Sequence, residues 1–137
     1  MGLRIALISC VSQKREGKHK ARDLYVSDLF KKSFAYTSRN FDRVFILSAK
    51  YGLLNPDDLI ESYNSTLNRF PEAKKKRWAA WVRSQLQKRI NPDDTIYWFA
   101  GNNYRKYLKS MLPNDQHEPL KGLAIGKQLA WYKKHLQ

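Results

Sequence analysis

Three apolar runs, LRIALIS (residues 3–9), RVFILSA (43–49) and TIYWFA (95–100), stand well apart in this 137-residue chain. Each run is nearly continuous, not alternating, which is the pattern of a strand covered on both faces. The intervals between them are long enough to hold a helix and return. Buried strands alternating with helices pair in parallel through right-handed crossovers. The chain is therefore expected to form one α/β domain over residues 1–137, a three-layer α/β/α sandwich around a mainly parallel sheet.

Helix signals fall where this scheme needs them. Ser27 is a good N-cap for DLFKKSFAYTSR, whose Leu29, Phe30, Ser33 and Phe34 share a face. The longest helix is expected over residues 71–90. Pro71 suits its first turn, and Trp78, Trp81, Val82, Leu86 and Ile90 recur at helical spacing, which reads as core. Asn91-Pro92-Asp93-Asp94 stops it. NNYRKYLKSML (102–112) reads as a further helix, and GLAIGKQLAWYKKHL (122–136) as the last, with Ile125, Leu129, Tyr132 and Leu136 on one stripe. QHEPL between them suits a short strand. CVSQKREGKHKARD has no periodicity and reads as a mobile loop.

Charge narrows the partners. Twenty-six Lys and Arg against twelve Asp and Glu give a net charge of +14, which favours polyanions through counterion release and steering. Nucleic acid is the expected partner, DNA before RNA; the plain alternative is a basic, well-solvated surface. Two clusters would reach the phosphates: Lys18, Lys20 and Arg22 in KREGKHKAR, and Lys74, Lys75, Lys76 and Arg77. Apolar residues at 42% exclude a disordered chain. No apolar run is long enough to span a bilayer, so no membrane is expected, and a single cysteine, Cys10, fits a reducing cytoplasm.

In parallel sheets the ligand site lies beyond the carboxyl ends of the strands. Here all three ends carry small residues followed by hydrogen-bonding side chains: Ser9 to Lys14, Ser48 to Gly52, and Ala100 to Tyr104. Candidate pocket residues are Ser9, Ser12, Lys14, Tyr25, Ser48, Tyr51, Gly52, Tyr63, Asn102, Tyr104 and Lys127. Gly52 would allow close backbone approach to a ligand, and Tyr25, Tyr51, Tyr63 and Tyr104 could stack on an unpaired base. Lys50 could hold phosphate or act as base if desolvated, or be an exposed turn lysine. Glu61 could activate water or orient a base amide, or form a structural ion pair with Lys50; Leu59 and Ile60 beside it are expected to pack. Cys10 lacks the spacing to Arg15 of a phosphatase loop, and Gly17-Lys18 lacks the rest of a P-loop. The three histidines and Cys10 are too scattered for a metal centre, and no cofactor motif is present.

The stretch ILSAKYGLLNPDDLIESYNSTLN also resembles the YaaA-like family, at Leu47, Ser48, Tyr51, Gly52, Leu53, Leu54, Pro56, Ile60 and Tyr63. AGNNYRKYL (100–108) is similar to that family's element after a later strand. A short bacterial and phage branch resembles the chain over nearly its whole length, through Ser12, Lys14, ARDLY (21–25), Ser27, Phe30 and PLKGLAIGKQL (119–129). The resemblance implies DNA binding in a peroxide-stress setting. Three functions stay open: a nucleic-acid-binding protein with a small polar base pocket, a nucleotide- or nucleobase-processing hydrolase of N-glycosidase type, and a phage or bacterial accessory protein acting through a protein partner.

Overall fold

The apolar runs become the heart of a mostly parallel sheet. The computed structural model describes residues 2–9 and 14–137. Strands β1 (Arg4–Ser9), β3 (Arg43–Ser48) and β6 (Thr95–Phe99) lie side by side in parallel, with β1 between the others. The edges are β4 (Gly52–Leu54), antiparallel to β3, and β7 (Gln116–His117), parallel to β6, so the order is β4-β3-β1-β6-β7. Ser9 pairs in register with Leu47 and Ile8 with Phe99, so the carboxyl ends of the three central strands are level. The chain passes from β1 to β3 on one side, then back across β1 to β6 on the other. That reversal is a topological switch point, where side connections diverge and leave a crevice.

Helix α2 (Asp28–Asn40) is capped as expected, with the Ser27 hydroxyl accepting from the Phe30 amide, and it packs on β1. Helix α6 (Ile125–His135) packs on α2, and the Tyr132 hydroxyl donates to Ser33 at 3.1 Å. Helix α3 (Glu72–Gln87) packs on β4 and buries Trp78, Ala79, Val82 and Leu86. Helices α4 (Asn102–Arg105) and α5 (Leu108–Met111) take the place of the single helix expected over 102–112. The turn between them brings Lys106 and Tyr107 onto Glu72 at the start of α3. The fold is mixed α/β with a mostly parallel five-stranded sheet.

Four local expectations are corrected. Residues 18–22 are not free loop: β2 (Lys18–Lys20) pairs antiparallel with β5 (Leu59–Glu61), and α1 (Ala21–Leu24) follows. Ala21 and Leu24 are fully buried, and apolar burial of this kind anchors the segment. Trp81 is 43% exposed, because only Trp78 lies on the α3 stripe that meets the sheet. Ile125, the first residue of α6, is 64% exposed; the helix reaches full burial only at Tyr132. Leu59 is also exposed, because it alternates outward while Ile60 points in.

Candidate functional site

Beyond the end of β3 the polar residues form a connected network. Ser48 is fully buried; its hydroxyl donates to the Tyr63 hydroxyl at 2.9 Å and accepts from the Tyr51 amide at 3.0 Å. The Tyr63 and Tyr25 hydroxyls are 2.6 Å apart, and Lys14 Nζ sits 4.5 Å from the Tyr63 ring centroid. Tyr51 closes the group: its hydroxyl both donates to and accepts from the Glu61 backbone. Trp78 Nε1 bonds the Ser48 carbonyl, fixing the strand end to α3. Lys14, Tyr25, Ser48, Tyr51 and Tyr63 are thus brought together, as the sequence suggested.

Burial changes what that group can do. Tyr25 is 1% exposed and packs against Phe30, and Tyr104 is buried with its ring edge-on to Trp78, 5.5 Å between centroids. Tyr63 is buried as well. Neither face of these rings is presented to a base, which corrects the stacking expectation for Tyr25, Tyr63 and Tyr104. Gly52 (φ 74°) does meet a close neighbour, but it belongs to the protein. A Cβ there would lie 2.3 Å from Gln85 Oε1, which accepts from the Leu53 amide. Lys50 is an exposed turn lysine with its ammonium 5.3 Å from the Tyr51 ring centroid. Glu61 is exposed and stands across the ribbon from Lys18; among the described residues no ion pair joins it to Lys50. Ser12 and Cys10 lie outside the described residues.

An opening exists at the ends of β1 and β6 instead. A cleft of about 620 Å³ is bounded by Ser9, by Trp98 to Asn102, by the first turn of α2 from Ser27, by residues 118–123 and by one face of α6. Clefts that bind small molecules have this size, with apolar walls and a few convergent polar groups. Leu29, Phe30, Leu123 and Leu129 give the apolar wall. Arg105 Nε meets Glu118 Oε1 at 2.8 Å, and Lys109 bonds the other carboxylate oxygen. The Lys109 hydrogen bond, reinforced by the charges of Lys109 and Arg105, holds the Glu118 carboxyl below its ordinary range. At the floor, burial pushes the Tyr132 hydroxyl well above its ordinary range, against the opposing bond to Ser33, so it stays a neutral donor. The Gln128 amide nitrogen is held by the Leu123 carbonyl at 2.8 Å.

Of the candidate pocket residues named from the sequence, Ser9 and Asn102 line this cleft, whereas Lys127 is exposed outside it. Sequence reasoning missed Arg105, Glu118, Asp28 and Gln128. PLKGLAIGKQL, noted only for its resemblance to the short branch, supplies much of this wall, and its partners across the cleft are distant in sequence. The basic clusters are also redistributed. Arg22 is ion-paired with Asp57 at 2.7 Å, and Lys20 approaches the same carboxylate. Lys75 is nearly buried and paired with Glu72 at 3.1 Å, so it is not available to phosphate; Lys74, Lys76 and Arg77 are exposed. Consecutive helix residues point about 100° apart, so a four-residue run cannot share one face.

A model of the family of unknown function DUF6884 matches residues 5–134. The chain belongs to that family. The matched span runs from β1 to the end of α6 and so includes both the buried network and the cleft. The chain is also 30% identical over 123 residues, 83% of its length and 80% of the relative's, to the uncharacterized protein YfjM of Bacillus subtilis strain 168. No helix among the described residues is long and apolar enough to cross a membrane.

Proposed function

We propose that this member of DUF6884 is a cytoplasmic nucleic-acid-binding protein, acting on DNA more than RNA, that receives a single base or nucleotide in the cleft at the ends of β1 and β6. The observation that carries this reading is the cleft itself. It lies at the switch point of a parallel sheet, with an apolar wall beside the Arg105–Glu118 pair, in a chain of net charge +14. A flat base suits the wall of Leu29, Leu123 and Leu129, and Asn102 and Arg105 at the mouth offer polar contacts. The resemblance to YaaA-like proteins supports the choice of DNA. Packing of α2 and α6 together, with α3 on the other crossover, supports the three-layer sandwich as the finer description of the fold.

The test is retardation of short single- and double-stranded DNA at low salt. Backbone engagement of six or more phosphates predicts an affinity falling about a thousandfold between about 50 and 200 mM salt. Arg105→Ala should weaken binding of a nucleoside monophosphate followed by calorimetry. No retardation at low salt sinks the proposal.

One observation favours a hydrolase as the second reading: two carboxylates, Asp28 and Glu118, border the same cleft. Glu118, kept ionised by its cations, would steady positive charge developing on a sugar, and Asp28 would orient water. Release of free base from an oligonucleotide, lost in Asp28→Asn, separates this reading from binding alone.

A further inference from the structure

The exposed Trp81 is unexplained by either the core or the cleft. At about 100° per residue, Lys74, Arg77, Trp81, Ser84 and Lys88 fall on one stripe of α3 and its C-cap, spanning about 21 Å. All five are exposed. The indole is not loose. A Cβ on Gly52 would lie 3.1 Å from Trp81 Cζ3, so the bare Gly52 backbone gives the ring a seat on the turn after β3. The one acid of α3, Glu72, lies off this stripe and is taken by Lys75, Lys106 and Tyr107. A lone exposed aromatic means little, but an aromatic on one helix stripe with three cations, among them Lys74 with its ammonium 4.1 Å from the Phe70 ring centroid, and with no acid on that stripe, complements a flexible polyanion that carries flat rings.

We propose that this stripe is a track for single-stranded nucleic acid, with an unpaired base stacked on Trp81 and flanking phosphates met by Lys74, Arg77 and Lys88. Sequence-tolerant strand binding uses this combination of a stacking platform and a basic groove. The inference rests on the nucleic-acid reading above and extends it to a second surface. The start of α3 connects to the cleft rim through Asn68, which bonds Asn103 beside Asn102 at 2.6 Å, so one strand can lie on α3 and deliver a base to the cleft.

The experiment titrates the full chain with a fluorescent oligothymidylate at fixed salt. Trp81→Ala should weaken binding about tenfold, with an unchanged salt slope, and Trp81→Phe should recover most of it. Arg77→Ala with Lys88→Ala should reduce the single-strand salt slope by about 1.4, from two lost phosphate contacts. Double-stranded DNA should be held by Trp81→Ala within about twofold of the parent. If the parent binds and Trp81→Ala binds equally well, the track is wrong while the DNA reading stands. Loss of self-association or of a protein partner in Trp81→Ala, with single-strand affinity intact, overturns it in favour of a protein interface. If the parent retards no DNA, both proposals fall. Should Trp81→Ala not fold, Lys88→Glu at the far end of the stripe must weaken binding, or the track is refuted.

Discussion

The carboxyl ends of β3 and β6 begin alike, each with a small residue followed by hydrogen-bonding side chains. At β3, the polar atoms find one another: Ser48, Tyr63, Tyr25 and Tyr51 bond among themselves, and Gln85 reaches in from α3 to hold the turn. At β6, Asn102 and Arg105 look into a cleft closed on its far side by residues 118–123 and α6. The difference comes from what returns to each strand end. The chain after β3 folds straight back as β4, and then sends Tyr63 under the turn. The chain after β6 continues outward through two short helices and does not fill the space. A polar strand end is therefore a site only where no later segment completes it.

The sharpest way to break this comparison is to open the closed end. Tyr63→Ala should cost about 3–5 kcal/mol by removing a buried aromatic from a packed core. Tyr63→Phe should cost about 1–3 kcal/mol by leaving buried hydroxyls without their partner. Both are measurable by urea unfolding, and neither should alter nucleotide affinity of the folded fraction. If Tyr63→Phe is neutral for stability but abolishes binding, the β3 end is a site after all.

Gly52→Ala tests the same turn through the backbone. A side chain at φ 74°, with Gln85 in its way, should destabilise by about 1–3 kcal/mol. Adding Gln85→Ala should relieve the collision but not the backbone strain, so the double mutant should recover only in part. Full recovery would show that crowding alone demands glycine.

At the open end, the expected effects reverse. Glu118→Gln should change stability by under about 1 kcal/mol, since its cation partners Arg105 and Lys109, 25% and 44% exposed, keep water when the carboxylate charge is lost, yet it should alter ligand affinity in the cleft at least several-fold. A large loss of stability with unchanged affinity would make Glu118 a structural clasp between β7 and α4.

The smallest effect concerns the clasp at the start of α3. Hydrogen bonds from Tyr107, then Lys106 and Lys75, hold the Glu72 carboxyl down to about 2 from an ordinary 4.5. A lowered folded value means the stabilisation is present above about pH 4.5 and is lost as pH falls toward 2. The difference in melting temperature between the parent and Glu72→Gln should be small at neutral pH and vanish across that window. A difference that persists at the acid end would assign the effect to packing rather than charge.

Much of the fold was legible in the chain. Ile5 to Ile8, Val44 to Leu47 and Ile96 to Phe99 could satisfy their apolar character only as interior strands, and Ser27 and the Trp78–Leu86 period placed helices between them. The antiparallel β4 and the β2–β5 ribbon were not legible. Three-residue strands carry too little pattern to distinguish pairing from turn, and Lys18 and Lys20 pair through backbone atoms that their side chains do not advertise. The site was half legible. Ser48, Lys50, Tyr51, Glu61 and Tyr63 were expected to form one wall of a pocket; the sheet end gathers Ser48, Tyr51 and Tyr63, but whether a gathered group is open or sealed depends on the atoms packed over it.

The sequence by itself determined an α/β domain with a level row of strand ends, because continuous apolar runs and helical periods are local properties of neighbouring residues. It also determined a strong positive charge, which is a plain sum. Only the tertiary structure decided that the Tyr25 and Tyr63 hydroxyls meet at 2.6 Å, that Lys75 turns inward while Trp81 turns outward, and that Arg105 pairs with Glu118 at the wall of an open cleft. Those outcomes depend on contacts between residues distant in the chain, where burial and pairing are set by geometry that no single segment contains.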